Sequence, residues 1–372
     1  MIADRGRISA YAQALKARVK PDSVVLDIGT GTGIWALLAC QYGARKVYAV
    51  EPDDIILLAK EAAAANGFAG RIEFIQGVTT EVELPEKVDL VVSDIRGVLP
   101  VFQQSIVSIL DARDRLLTPG GSLIPRRDTM WAALVDVPLV HRDFTGPWRT
   151  DDYGLDLGVF RTKVVNSWRK TSVKAADLVT EPACWATLDY ETLRDLSFQG
   201  DVAWTIPEER TAHGICVWFD SEVAENIELS NSPLSPDNHN YGRAFFPWPE
   251  PVAFAAGDQV LVALRADYVG SDYVWGWRTR VLSKAGDVKS SFQQSTFLGL
   301  PLSADSLRRR AHTFHPQLNR QGEIDRMILD QMSAGAALGE IAGDIATLFP
   351  AAFKTRQDAL SRVGELSAKY SQ

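Results

Sequence analysis

The sequence predicts a doubly wound α/β domain followed by an antiparallel β domain and a small helical module. Three observations predict it. The stretch VVLDIGTGTG at residues 24–33 carries apolar residues into Asp27, then sets Gly29, Gly31 and Gly33 at every second position. A second apolar run, KVYAV at residues 46–50, ends in Glu51, about 20 residues past the glycines. After about residue 126 the alternation of strands with helices gives way to short runs rich in Val, Trp, Phe and Thr.

The elements follow in order. Residues 1–20 read as a short helix, with Ile8, Tyr11, Ala12, Leu15 and Val19 at helical spacing and Pro21 after them. Residues 24–28 read as a buried strand that ends in a tight turn and opens a helix at about Ile34. Glycine lets that turn take positive φ and approach a ligand closely. The helix N-terminus then faces the ligand. Residues 34–42 and 55–66 are further helices, the second alanine-rich with Gly67 as its C-cap. Residues 72–75 form a third strand, followed by Gly77, Val78, Thr79 and Thr80 where an adenine edge would lie. Residues 88–93 form a fourth strand with Asp94 at its end. A helix over 106–117 closes at Pro119-Gly120-Gly121, and Ser122 begins a further strand. Strands and helices alternating in this way predict a Rossmann-like parallel sheet with its ligands at the carboxyl ends of the strands. Asp27, Glu51, Thr79 and Asp94 all fall there.

Residues 130–140, 183–190, 196–206, 213–219, 260–268, 274–282 and 290–298 read as strands of an antiparallel sandwich or barrel. Residues 153–178 interrupt them with a mixed segment that reads as a protruding arm. From Gln321 three amphipathic stripes appear: Ile324, Met327, Ile328 and Met332; then Leu338, Ile341, Ile345 and Leu348; then Ala359, Val363, Leu366 and Tyr370. They follow the run Arg308, Arg309, Arg310, which reads as a solvated face, and predict a helical or winged-helix module. The expected domains are 1–126, 127–300 and 301–372.

Composition narrows the function. The 372 residues are 46% hydrophobic, enough for two or three packed domains. A net charge of −8 argues against nucleic acid held on a broad basic surface. Cys40, Cys184 and Cys216 lie far apart, with no C-x-x-C, so neither a disulfide framework nor a zinc knuckle is expected. A reducing cytoplasm is the simplest compartment. No run of 18 apolar residues suggests a membrane span, and the N-terminus lacks a signal-peptide pattern. His312 and His315 flank a Thr-Phe pair and read as structural, and most of the ten tryptophans as β-domain core.

The D-x-G-x-G-x-G spacing resembles the first motif of S-adenosylmethionine-dependent methyltransferases. Over roughly residues 1–300 the chain is similar to the protein arginine methyltransferases. Met1-Ile2-Ala3-Asp4-Arg5-Gly6-Arg7 with Tyr11 resembles that family's M-L-x-D-x-x-R-x-x-x-Y helix. Gly43-Ala44-Arg45-Lys46-Val47 through Glu51 resembles its G-A-x-x-V-x-x-x-E. Val82-Glu83-Leu84-Pro85 before Lys87-Val88-Asp89, and Ala112-Arg113-Asp114-Arg115-Leu116-Leu117 before Pro119-Gly120-Gly121, are similar as well. The resemblance implies a Rossmann-like cofactor domain, a β-barrel with a dimerisation arm, a homodimer, and S-adenosyl-L-methionine as cofactor with no metal. It implies Arg7 on the cofactor carboxylate, the loop of Gly29, Thr30, Gly31 and Gly33 beneath it, Glu51 on the ribose, and Thr79 and Thr80 at the adenine. Asp27 either caps the loop or touches the cofactor.

The departures bear on chemistry. The family places two glutamates as S-E-x-x-G-x-x-x-x-x-E, where this chain has Ser93-Asp94-Ile95-Arg96-Gly97 and then Gln103. Its T-H-W is matched by His239-Asn240-Tyr241-Gly242-Arg243, with Ser232-Pro233 and Ser235-Pro236 upstream. A sulfonium beside a guanidinium brings two cations together, and two carboxylates must offset them. With Asp94 alone one charge is missing, and Arg96 cancels more if it points inward. Either the acceptor is not a free guanidinium, or another acid supplies the charge. A neutral amine, amide, imidazole or hydroxyl suits Asp94 as base with Gln103 as hydrogen-bond partner. The catalytic candidates are therefore Asp94, Gln103, His239 and Asn240. The expected function is methyl transfer to a nitrogen or oxygen of a peptide, protein or specialised metabolite. The alternatives are a true arginine methyltransferase and an inactive cofactor-binding scaffold partner. Residues 318–322, 338–342 and 348–350 are also similar to the small winged-helix peptide chaperones of pyrroloquinoline-quinone biosynthesis, which implies a peptide held by residues 301–372.

Overall fold

The computed structural model describes residues 2–148, 154–235 and 241–371. The chain packs as two compact units, Met1–Pro301 and Leu302–Gln372.

Unit one begins with α1 (Arg5–Arg18), capped by Asp4, whose Oδ1 accepts from Arg7 N at 3.2 Å. Then come β1 (Val24–Ile28), α2 (Ile34–Gln41), β2 (Lys46–Glu51), α3 (Ile56–Ala65), β3 (Ile72–Gln76), β4 (Val88–Ser93), α4 (Ser105–Asp111) and β5 (Leu117–Ile124). The five strands form one parallel sheet in the order β3-β2-β1-β4-β5. Every residue of β1 is buried, as a central strand covered on both faces requires. The strand order reverses between β1 and β4, so the crevice for a ligand opens at their carboxyl ends. The expected helix over 106–117 stops at Asp111. A π-helical turn, Ala112–Leu116, leads straight into β5.

Next come β6 (Arg127–Val135), α5 (Pro138–Thr145), α6 (Gly158–Val165), β7 (Arg169–Thr171), β8 (Ala183–Asp189), β9 (Phe198–Thr205), β10 (Arg210–Ala224), β11 (Ile227–Ser230), β12 (Arg243–Phe254), β13 (Gln259–Val269), β14 (Asp272–Leu282), β15 (Val288–Ser295) and the helical turn α7 (Thr296–Gly299). One sheet runs β7-β12-β10-β6-β8 with β11 paired to β10, and a second runs β15-β14-β13-β9. Aromatic side chains join them. Phe246 of β12 lies 5.1 Å from both Trp275 and Trp277 of β14, and Trp248 Nε1 donates to Thr279 Oγ1 at 3.1 Å. The buried Trp277 is partnered likewise, its Nε1 donating to Gln294 Oε1 at 2.8 Å.

Two β-domain expectations change. The strand expected over 130–140 ends at Val135, because Pro138 opens α5 as its first residue. The strand β12 is not among the expected ones, and it carries Pro247, Pro249 and Pro251, which cannot donate to a ladder. The structure admits them at an irregularity. Ala212 pairs with Val252 but Gly214 with Pro247, so residues 248–251 bulge out of register. Within the expected arm, α6 and β7 lie side by side in sequence and β7 joins the first sheet. Tyr153 falls outside the described residues.

The second unit holds α8 (Ala304–Arg310), α9 (Arg320–Ser333), α10 (Leu338–Leu348) and α11 (Arg356–Tyr370). Ile324, Ile328, Ile341, Ala342, Ile345, Ala359, Val363 and Leu366 are its buried core. Leu338, Leu348 and Tyr370, expected in the same stripes, are exposed. Arg362 on α11 forks onto Asp325 on α9 at 2.6 and 2.9 Å. Among the described residues of this unit there is no strand, so it is the helical form and not the winged one. Removing buried methyl groups here by Ile345→Ala costs about 2–5 kcal/mol, as much as a core of this size supplies. The expected outcome in limited trypsin digestion of the full chain is rapid cleavage within 302–372, with residues 1–301 retained.

Candidate functional site

The Gly turn builds the first half of the site. Gly29, Gly31 and Gly33 all take left-handed φ, at 67°, 52° and 83°. Gly29 N and Thr30 N donate to the Val50 carbonyl at 2.9 and 3.1 Å, which ties the turn to β2. Asp27 is completely buried beneath it. Its Oδ2 accepts from Thr30 Oγ1 at 2.6 Å and from Ala36 N at 3.0 Å, while Oδ1 has no partner. Burial pushes the Asp27 carboxyl up to about 7 against those two hydrogen bonds. Glu51 reaches the same turn, with Oε2 accepting from Gly31 N at 2.9 Å and Oε1 from Asp53 N at 3.1 Å.

A Cβ on Gly31 would meet open space, so there is room over the turn beside Glu51. One on Gly33 would sit 3.0 Å from Ala59 Cβ, and one on Gly29 would strike Ile95 Cγ2. Beside the turn lies a mostly apolar cavity of about 170 Å³, with Gly29, Val50, Val78, Thr79, Ile95 and Phe102 on its walls. These features fit a nucleoside: glycine backbone, an acidic residue with lone pairs to spare, and an apolar slot for a base. Thr79 lines the slot, whereas Thr80 is exposed.

The second half is a buried chain of charges. Arg7 and Tyr11 lie one turn apart on α1 and therefore share a face. Tyr11 stacks on Trp35 with ring centres 4.6 Å apart. Arg7 Nη1 is 2.7 Å from Asp94 Oδ2, with only 4% and 3% of the two side chains exposed. Tyr241 donates a short hydrogen bond to Asp94 Oδ1. Arg96 turns inward. Its Nε is 3.8 Å from Asp94 Oδ1, and its Nη1 is 3.1 Å from Asp128 Oδ1. Its Nη2 donates to the Tyr11 hydroxyl at 3.3 Å, which itself donates to the Ser93 carbonyl at 3.1 Å. The Arg96 guanidinium lies 5.0 Å above the Phe219 ring. Tyr190 OH donates to Asp128 Oδ2 at 2.6 Å. Burial holds Asp94 above the ordinary carboxylate value, more than Arg96, Arg7 and the two hydroxyls offset.

The structure thus brings Arg7, Asp94 and Tyr241 together and adds Tyr11, Arg96, Asp128 and Tyr190. It does not bring Gln103 to Asp94. Gln103 sits exposed at a left-handed bend, φ 43°, with its N–H on Asp272 Oδ1 at 3.1 Å, and it lines the nucleoside-side cavity instead. His239 and Asn240 lie outside the described residues. Asp128 and Tyr190 escaped the sequence reading. Asp128 carries a faint signal, a polar residue in phase with Met130 and Ala132 on the inner face of β6.

Residues 10–125 match the family described as ribosomal protein L11 methyltransferase. Residues 126–267 match the arginine methyltransferase oligomerization subdomain. The chain is 34% identical over 258 residues to protein arginine N-methyltransferase 6 of Danio rerio, covering 64% of this chain and 72% of that protein. It is 31% identical over 250 residues to protein arginine N-methyltransferase 1 of Schizosaccharomyces pombe, covering 64% and 72%. Against the probable protein arginine N-methyltransferase 6 of Arabidopsis thaliana it is 29% identical and spans 55% of that protein's length. Among solved structures, it superposes on the Trypanosoma brucei PRMT1 enzyme–prozyme heterotetrameric complex with AdoHcy with a TM-score of 0.72, at 26% identity over 79% of this chain and 95% of that one. Protein arginine methyltransferase 10 of Arabidopsis thaliana gives 0.70, at 25% identity over the same shares. The chain belongs to the protein arginine methyltransferase family and is an S-adenosylmethionine-dependent methyltransferase.

Proposed function

We propose that this methyltransferase acts on a nitrogen or oxygen of a peptide, protein or small-molecule acceptor held beside Asp94. The observation that carries the reading is the placement of one buried carboxylate, Asp94, between Arg7 and Tyr241 on a cavity of about 380 Å³ at the carboxyl end of β4. S-Adenosyl-L-methionine, when bound, supplies a methyl carbon on a sulfonium, whose S–C bond breaks with its electron pair kept on sulfur as a C–N or C–O bond forms. Arg7 would hold its carboxylate, the Gly29–Thr30–Gly31–Gly33 turn its backbone, Glu51 its ribose, and Thr79 with Thr80 the adenine side. Asp27 supports the turn from below. Asp94, held by Arg7 and Tyr241, would orient the acceptor and take up its proton. The remaining rate comes from holding acceptor and donor in line.

A homodimer is part of the proposal. Supporting it are the match to an oligomerization subdomain and the exposed Leu139 on α5, Leu155 just before α6, and Val159 and Phe160 on α6, with Leu57 and Leu58 exposed on α3. A cytoplasmic setting is proposed from the three free cysteines. Among the described residues no helix is long and apolar enough to cross a membrane.

Two measurements test the reading. In calorimetry with S-adenosylhomocysteine, Glu51→Ala is expected to weaken binding at least tenfold, because the turn loses its carboxylate; unchanged binding would put the nucleoside elsewhere. With radiolabelled methyl donor, Asp94→Asn is expected to lower transfer by roughly 10²–10⁴-fold while the product nucleoside still binds. Asp94 works as a base only when ionised, so kcat/KM should fall as pH drops through its raised value. The Asn variant should lose that acid limb.

A further inference from the structure

We infer that Asp128 is a positioning residue for Asp94: by holding Arg96, it keeps a second guanidinium from hydrogen-bonding that carboxylate and so leaves Asp94 free to meet an acceptor. The inference rests on the methyl-transfer reading above, in which Asp94 takes up the acceptor's proton. It adds a residue that is fully buried and lines neither the cavity beside the turn nor the one beside Asp94.

Arg96 lies between two carboxylates and is committed to one of them. Its Nη1 donates to Asp128 Oδ1 at 3.1 Å, whereas its Nε stops 3.8 Å from Asp94 Oδ1, beyond hydrogen-bond reach. Its Nη2 is taken by the Tyr11 hydroxyl at 3.3 Å, and the guanidinium lies 5.0 Å from the centre of the Phe219 ring. With 4% of its side chain exposed, Arg96 has little water to turn to. Asp128 is held in its turn by Tyr190, whose hydroxyl donates to the other oxygen at 2.6 Å. Strand pairing sets these two together: Asp128 on β6 is opposite Leu188 on β8, and Tyr190 follows directly after that strand. The restraint on Arg96 therefore comes from an antiparallel sheet, not from the loop that carries Arg96 and Asp94.

A buried guanidinium must be met by an acid. Asp128 meets that demand away from Asp94. Without Asp128, the next carboxylate oxygen is Asp94 Oδ1. That oxygen already accepts from Tyr241 and lies 3.4 Å from the Tyr11 hydroxyl, while Oδ2 faces Arg7 at 2.7 Å. A guanidinium N–H added there would fill the edge an acceptor needs and make Asp94 a weaker base, since each donor favours the ionised form. Removing Arg96 together with Asp128 does the reverse. Burial holds the Asp94 carboxyl above its ordinary value, and Arg96 is the largest of the groups that oppose it. The other groups around Asp94 stay in both cases: Arg7 and Tyr11 from α1, Tyr241 from before β12, Asp4 and Lys170 on the cavity wall, and Asp27 beneath the turn.

The test reads the proton on Asp94 directly and needs no acceptor. The full chain, labelled with carbon-13 at its aspartate carboxyls, is titrated by NMR, and the Asp94 signal is the one missing from Asp94→Asn. In Asp128→Asn the proton affinity of Asp94 is expected to fall by roughly tenfold, as Arg96 turns to it. In Arg96→Met/Asp128→Leu, which leaves neither charge orphaned, it is expected to rise by roughly tenfold. Asp128→Glu keeps the charge and is expected to stay within about threefold of the natural chain. A merely structural role would not move the two variants in opposite directions. An unchanged or higher affinity in Asp128→Asn overturns the inference. So does a double variant that fails to rise, or an Asp128→Glu shift as large as that of Asp128→Asn. Circular dichroism and S-adenosylhomocysteine affinity check folding. If the unpaired Arg96 unfolds Asp128→Asn, the double variant and Asp128→Glu decide on the same terms. Full methyl transfer by Asp94→Asn would fell the reading of Asp94 as the base, and that assay is separate from the titration.

Discussion

Four alternating charges, Arg7, Asp94, Arg96 and Asp128, set the terms for the first unit. A carboxylate or guanidinium taken out of water must be met by opposite charge and hydrogen bonds, or the fold loses several kcal/mol. No single element of this chain can meet that demand. The first helix brings Arg7 and Tyr11, the end of β4 brings Asp94, and the next loop brings Arg96. Asp128 comes from β6, Tyr190 from just past β8, and Tyr241 from just before β12. The parallel sheet and the antiparallel sheets are therefore joined by a network whose members satisfy one another only when both are in place. That is a physical reason for residues 1–301 to pack as one compact unit. The boundary we propose at residue 126 falls in the short connection between β5 and β6.

The same strand end serves both halves of the site. Asp94 closes the charge chain, while its neighbour Ile95 lies over Gly29 and walls the apolar cavity beside the turn. Any shift of this loop moves the walls of both cavities together. The turn below it is braced independently. Asp27 accepts from Thr30 and Ala36, and Val50 accepts from Gly29 and Thr30. A firm turn under a loop that spans two cavities is the arrangement an in-line transfer needs, since small misplacement costs rate steeply.

Most of the parallel sheet was legible in the sequence because period, caps and glycines agree there. The run into Asp27, the turn glycines and Glu51 all carry local signals, and local signals survive without tertiary knowledge. The sequence was silent about β12 because three prolines argue locally against a strand, and only the bulge opposite residues 212–214 accommodates them. The exposure of Leu338, Leu348 and Tyr370 was hidden for a related reason: a stripe marks a face, but its ends run past the neighbouring helices. The charge chain was half legible. Arg7 and Asp94 stand in recognisable motifs. Asp128 and Tyr190 meet Arg96 and each other only through contacts across 32 and 62 residues, which no window of sequence reveals. Gln103 stood at the right spacing for a second acceptor ligand, yet its left-handed bend turns it toward Asp272 and the other cavity.

Membership of a family fixes the donor and the fold more firmly than the acceptor. Around Asp94 this chain departs from the two-glutamate spacing that its sequence otherwise resembles. Shortening an acid to Asp94 and replacing another with Gln103 would leave a weakened anionic site. Placing Arg96 beside it without compensation would bury a cation at high cost. Asp128 supplies that compensation from a separate strand, and Tyr190 completes it, so the pair is closed on itself. Asp94 is then left balanced by Arg7. The charge around Asp94 is thus set by residues from four separate elements, Arg7 on α1, Arg96 after β4, Asp128 on β6 and Tyr241 before β12.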